Sequence, residues 1–371
     1  MTPSPAQIAQ VARAIDAVRK NVWERGLDKL ARMMGMDDMS ADIQVLADPP
    51  DVNAPSAAAD ARAKRDLADP RLKSTTQAAL AKLSPADRKA YDQLFARLQG
   101  QPRAQAALQA LARADKLSAK DLAGGQSLLT HLGAIANQPL APSVQQAGQS
   151  ALLAQVVLEL AEPGAIAQKG VNSCGATVVQ HMIARDHPGE YARLVAGLAS
   201  PAGAVTMQDG QTLRRDPAWN VDSDVSKRFG GVRSISSRLL QPAFLHHAGT
   251  FRYDNQRDGS IIPVLDVAVM GMVPWGMTKL IKGLTGRSFD WDVATRSSTF
   301  EKRMKSASPE RPVPIALNYA ERRGEFGPHW VQVVGFDAAA NRIIALNPWG
   351  RKESIPLDVA ERHLLAVVHP E

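Results

Sequence analysis

The chain has 371 residues and 45% hydrophobic content, enough for two domains and a sizeable core, and its composition lies outside the disordered, fibrous and membrane classes. Lys and Arg number 44 against 37 Asp and Glu, a net charge of +7, but the bases are interleaved with acids in no long run, so nucleic-acid binding is not expected. A single cysteine excludes an intramolecular disulfide, a thiolate zinc cage and a cysteine-ligated cluster, each of which needs at least two sulfurs from the chain.

The first residues, Met1 to Pro5, lead into a polar stretch with Asp16 and lack the basic flank and apolar run of a signal peptide. The longest nearly apolar stretch, Val267 to Thr278, is interrupted by Gly271, Pro274 and Gly276 and reads as a buried or surface-loop segment rather than a membrane span. Membrane contact is not expected. The location expected is cytoplasmic, or a target cell reached through secretion by a signal-peptide-independent system.

Residues 1–160 are expected to form an all-helical domain. Ile8, Val11, Ile15 and Val18 recur at helical spacing. Residues 47–73 contain Asp48-Pro49-Pro50-Asp51 and an Ala/Asp/Arg-rich segment without periodicity, which reads as a linker or mobile loop. Helix starts are signalled by Ser84-Pro85-Ala86-Asp87, by Ser118 with Asp121 three residues later, and by Pro142-Ser143 ahead of Leu152 to Leu160.

Residues 161–371 have a different character. Trp23, Tyr91 and Phe95 are the only aromatic residues before position 151, although the chain holds 6 Trp, 4 Tyr and 8 Phe. Ile315 to Tyr319, His329 to Phe336 and Arg342 to Leu346 read as strands. One helix begins near Cys174 and runs through Val178, Val179 and Ile183, with Asn172 or Ser173 as its cap.

A sulfur nucleophile needs help to become thiolate, and the first turn of a helix supplies partial positive charge; Cys174 is placed there. It also needs an imidazole, and among eight histidines His329 is best placed, at the mouth of a β run. If residues 330–336 pair with 342–348 across a turn at Ala338 to Asn341, residue 347 falls near 331, diagonal to 329 on one face. Asn347 can then accept a hydrogen bond from the ring, with Trp349 covering the pair from water. Gln168, six residues before the cysteine, offers an amide donor for an oxyanion beside the backbone N–H of the helix start.

The order Gln168, Cys174-Gly175 opening a helix, His329 opening a strand, and Asn347-Pro348-Trp349-Gly350 resembles the papain-like cysteine peptidase superfamily, with the Asn-Pro-Trp-Gly form closest to calpain-type members. The resemblance spans roughly residues 165–350 and implies an α+β fold: a papain-like catalytic domain over 161–371, with Cys on a helix and His and Asn on an antiparallel sheet, preceded by an all-α domain. It further implies that Cys174 is nucleophile, His329 general acid/base, Asn347 the imidazole-orienting residue and Gln168 the oxyanion donor. The chain departs from the pattern in three ways, one being that the structural cysteines of papain are absent. Gly175-Ala176-Thr177 follow the cysteine where papain and calpain would show a tryptophan, and Trp330 follows the histidine where a small residue is usual.

The activity expected is a thiol hydrolase cleaving peptide or isopeptide bonds through a Cys174 acyl-enzyme, in the manner of a secreted bacterial effector or toxin, with no cofactor and no metal. Its expected partners are a protein or peptide substrate and, in addition, a cognate inhibitor or chaperone. The alternatives are a papain-fold deamidase, transglutaminase or acyltransferase, or a catalytically silent interaction module. Individual residues keep plainer readings as well. Cys174 reads also as a buried thiol, His329 as a hydrogen-bonded strand histidine, Asn347 as a turn former and Gln168 as a loop residue. Asp337 competes with Asn347 as the orienting group, the His246-His247 pair reads as packing or surface rather than a metal site, and Asp209 to Asp224 reads as a solvated loop.

Overall fold

The structure is a computed structural model that describes residues 42–47, 51, 56–217, 219, 231–249, 253–255, 258–262, 267–269, 271–293, 298–320 and 326–371. The helix expected around Ile8 to Val18 lies outside these residues, as do positions 218 and 220–224 of the expected Asp209 to Asp224 loop. Strand β1 (Gln44–Ala47) comes first.

The stretch expected to be a linker is helical from Ala57 onward. Helix α1 (Ala57–Ala68) starts at Ser56, whose hydroxyl accepts the Ala59 N–H at 3.2 Å; Asp69 then caps α2 (Pro70–Leu80) by accepting the Arg71 N–H at 2.7 Å. Alanine, arginine and lysine supply the helix propensity and the caps supply the ends. Apolar periodicity is missing because Ala63 is the one fully buried residue of α1.

Helix α3 (Pro85–Arg97) begins as Ser84-Pro85 predicts, with the Ser84 hydroxyl accepting the Asp87 N–H at 3.1 Å. It is followed by α4 (Pro102–Arg113), α5 (Leu128–Asn137), α6 (Pro142–Gln145) and α7 (Gln149–Ala161). The helix start expected at Ser118 is absent. Asp121 Oδ1 instead accepts the N–H groups of Ala123, Gly124 and Gly125, and its Oδ2 meets His131 Nε2 at 2.6 Å. A carboxylate committed to a loop cannot serve a helix start, and α5 begins only after Ser127.

Helix α8 (Cys174–Asp186) is followed by α9 (Pro188–Ala199), the hairpin β2 (Ala204–Thr206) and β3 (Thr212–Arg214), and α10 (Ile235–Ala248). Arg215, beyond the hairpin, packs rather than facing solvent freely: its guanidinium donates to the carbonyls of Leu198 and Ser200. A small sheet, β4 (Tyr253–Asp254), β5 (Gly259–Ile262) and β6 (Val267–Val269), precedes α11 (Pro274–Thr285). The apolar Val267–Thr278 stretch thus divides between a strand and the opening of a helix. Then come β7 (Phe289–Val293), α12 (Ser298–Ser306), β8 (Val313–Ala320), β9 (Phe326–Asp337), β10 (Arg342–Asn347), β11 (Arg351–Pro356), α13 (Leu357–Arg362) and β12 (Leu364–Pro370).

Seven strands form one sheet in the order β1-β11-β10-β9-β8-β12-β7, and every neighbouring pair is antiparallel. The fold is α+β. Alternation along the strands gives the sheet two apolar faces. Ile315, Leu317, Val331, Val333 and Ile343 pack with Phe300 and Met304 of α12. Ala316, Trp330 and Val368 join the larger core of the helices. That larger core runs without a break from Leu80 through Leu160 to Cys174 and Leu284, so the helices on either side of residue 160 share one interior. Among the described residues no helix is long and apolar enough to cross a membrane.

Candidate active site

The β9–β10 hairpin brings His329 and Asn347 together through a bulge. Gly335 pairs with Ile344 and Val333 with Ala345, so Val334 is an extra residue on β9. That single insertion carries Asn347 to the level of Val331, the diagonal neighbour of His329 on a shared face. His329 Nε2 and Asn347 Oδ1 are 2.9 Å apart, with both residues buried.

The orientation of the Asn347 amide follows from its other partners. The Trp349 backbone N–H donates to Oδ1 at 3.0 Å, while Nδ2 donates to Glu353 Oε2 at 2.9 Å. Oδ1 can only accept, so Nε2 of His329 carries the ring proton and Nδ1 keeps the basic lone pair. The turn-forming reading of Asn347 and the imidazole-orienting reading are therefore compatible, since one oxygen serves both. Trp349 stacks on the ring at 4.4 Å between centroids and 28° between planes, and Tyr319 meets it edge-on at 5.2 Å. Burial pushes the His329 imidazole down to about 4, although Asn347 works in the opposite direction, so the ring is neutral at pH 7.

Cys174 is the first residue of α8 and is buried. The expected caps do other work. Asn172 donates its N–H and its side-chain amide to Asp258 Oδ2, both at 2.8 Å, and the Ser173 hydroxyl donates to Gln241 Oε1 at 2.8 Å. Without a side-chain cap, the N–H groups of Cys174 and Gly175 are left to interact with the sulfur, together with the N–H of Trp330 from β9. Burial nevertheless pushes the thiol above its ordinary value, against the pull of these three N–H groups, and the nearby Asp258 charge adds to the rise. The sulfur thus lies against the strand residue that follows His329, and both groups are neutral at rest.

Gly175 is required by this contact. A Cβ there would stand 2.7 Å from Met272 Cβ and 3.2 Å from Trp330 Cδ1, while the Trp330 indole donates to the Met272 carbonyl at 2.7 Å. Gln168 is tied to the turn after β10, since its N–H donates to the Pro348 carbonyl at 2.8 Å. Its side chain departs from the expected role. Nε2 donates to the Val171 carbonyl at 2.5 Å and Oε1 is buried without a partner among the described residues. The cause is local: the chain bends back between Gln168 and Cys174 and presents a carbonyl to the amide first.

Asp337 does not orient the ring. It accepts the N–H groups of Ala339 and Ala340 in the hairpin turn, about 25 Å along the strand from His329 at the usual rise per residue. No group of three or more His, Cys, Asp or Glu able to hold a metal ion occurs among the described residues.

Two site residues escape the sequence reading. Glu353 on β11 and Tyr319 on β8 are both buried, and the Tyr319 hydroxyl donates to Glu353 Oε2 at 2.6 Å. Burial and the Glu353 charge hold the phenol far above its ordinary value, so it remains a donor. From Asn347, parity carried one strand further reaches Glu353, because Asn347 pairs with Arg351 across a tight turn.

Compared with known proteins, the chain matches no family model and no curated protein sequence.

Proposed function

We propose that the protein is a thiol hydrolase of papain-like architecture that acts on a peptide or isopeptide carbonyl through a Cys174 acyl-enzyme. The observation that carries this reading is the contact of His329 Nε2 with Asn347 Oδ1, from which the tautomer follows: Nε2 donates to the amide oxygen, and Nδ1 remains basic on the strand whose next N–H reaches the Cys174 sulfur. The thiol and the ring are neutral at rest, so the S–H proton passes to Nδ1 as sulfur bonds to the carbonyl carbon. The oxygen of the tetrahedral intermediate is stabilised by N–H groups at the uncapped start of α8. Collapse breaks the C–N bond, and the amine leaves with the proton from Nδ1. Water, deprotonated by the same nitrogen, then attacks the thioester and regenerates the thiol.

Two of the departures from the papain pattern offset each other in space. The cysteine is followed by glycine and the histidine by tryptophan, and it is the Trp330 ring that lies against Gly175. Bulk that the family places on the helix is here supplied from the strand.

Incubating the full-length protein with an unfolded protein substrate and sequencing the products by mass spectrometry tests this reading. Cleavage that disappears in Cys174→Ala supports it. Deamidated or crosslinked glutamine without chain cleavage would move the assignment to the acyl-transfer relatives, and an unmodified substrate would overturn it.

A further inference from the structure

Strand β11 carries a carboxylate in a place that a sheet interior ordinarily fills with an apolar side chain. Glu353 pairs with Ala345 and is 1% exposed. A buried carboxylate requires donors, and its Oε2 takes two, from Tyr319 Oη at 2.6 Å and from Asn347 Nδ2 at 2.9 Å. An asparagine amide has nearly the same shape in both of its flipped orientations, so only its partners decide whether oxygen or NH2 faces a neighbour. Here the Trp349 N–H selects oxygen on the side of the ring, and Glu353 at 2.9 Å, with the Tyr319 hydroxyl as a longer acceptor at 3.4 Å, selects NH2 on the far side.

We propose that Glu353 is a positioning residue: by accepting the Asn347 N–H it holds the amide oxygen toward His329 and thereby determines which ring nitrogen is basic. This inference rests on the catalytic reading of Cys174 and His329 given above. With Glu353 unable to accept, only the Trp349 N–H still favours the amide oxygen on the side of the ring, against an NH2 that has lost its carboxylate partner, and Asn347 turns its NH2 to the ring. Nε2 then becomes the acceptor, the proton moves to Nδ1, and the nitrogen that should take the thiol proton is blocked. The Glu353 charge also lies behind the amide when the ring becomes imidazolium during the reaction, with the Tyr319 hydroxyl as a second donor to the same carboxylate oxygen.

The test uses the full chain, whose single cysteine makes iodoacetamide a site-unique probe. Glu353→Leu removes the acceptor, Glu353→Asp withdraws it by one methylene while keeping the charge, and Glu353→Gln keeps an acceptor oxygen without the charge. Labelling of Cys174 at pH 7 should slow roughly ten- to hundredfold in Glu353→Leu, the range expected for a lost buried partner, and return close to the parent rate in Glu353→Gln. In nitrogen-labelled histidine NMR, the His329 ring should carry its proton on Nε2 in the parent and in Glu353→Gln, and on Nδ1 in Glu353→Leu. If circular dichroism shows Glu353→Leu unfolded, Glu353→Asp replaces it, with the same slowed labelling and Nδ1 proton expected. Folded variants with parent rates and the parent tautomer would overturn the positioning role. Labelling in His329→Ala as fast as in the parent would instead sink the catalytic reading beneath it, so the two failures are distinguishable.

Discussion

On the histidine side of the candidate site, His329, Asn347, Glu353 and Tyr319 form an unbroken chain of hydrogen bonds under a stacked Trp349. On the cysteine side, the start of α8 has no side-chain cap, so its first N–H groups are not taken by one. Under the proposed mechanism the contrast follows from what each side would do. A base works from one fixed tautomer, so its partners are saturated in advance. Donors for a charge that exists only during reaction must stay uncommitted until it forms.

The largest expected effect comes from breaking the saturated side. His329→Ala should lower substrate turnover roughly 10³-fold or more, as removal of a triad base does, and a loss under about tenfold would show that another group takes the thiol proton. Asn347→Ala should cost less, roughly ten- to hundredfold in kcat/KM, because the ring survives but loses its orientation. A loss equal to that of His329→Ala would mean that the ring collapses without the amide.

The packing between the sides is tested by Gly175→Ala. Its Cβ would come 2.7 Å from Met272 Cβ, and we expect about 1–3 kcal/mol of lost stability in urea unfolding. An unchanged midpoint would show that the Met272 loop yields freely.

Acid should weaken the folded chain through His329 of the saturated side and through His181 on α8. His329 and His181 are both pushed down by burial to about 4, and unfolding returns each to an ordinary value near 6.5. The unfolded chain therefore binds more protons between these values, and stability is lost as pH falls from about 6.5 toward 4. The urea midpoint should decline across that window, and the decline should be shallower in His329→Gln; equal slopes would place the His329 ring in contact with water.

The smallest effect is expected at Gln168. Its Nε2 already donates to Val171, so Gln168→Ala should cost about tenfold or less in kcat, below the roughly 10²–10³-fold of a dedicated oxyanion donor. A loss in the upper range would reveal that its second N–H is aimed at the reacting oxygen.

Much of this site is legible in one dimension because its parts follow local rules. Parity along two strands joined by a short turn pointed to Asn347 beside His329, but the strands meet one residue away from that register and only the Val334 bulge restores it; a helix starting at Cys174 could be read from the spacing of Val178, Val179 and Ile183. Periodicity failed where burial was slight, as in α1, whose alanines and caps make a helix with almost no apolar stripe. Capping chemistry misled where the polar side chain had a distant partner: Asn172 is claimed by Asp258, Ser173 by Gln241 and Asp121 by its own loop and His131.

The amino-acid sequence by itself determined the α+β character and the lone thiol, since these depend on composition and short-range periodicity. Only the tertiary structure decided the direction of the Asn347 amide, the carboxylate behind it, the contact between Gly175 and Trp330, and the single interior joining helices on both sides of residue 160. Those features depend on groups far apart in the chain competing for the same donors and the same space, and propensity, spacing and parity do not encode which competitor wins.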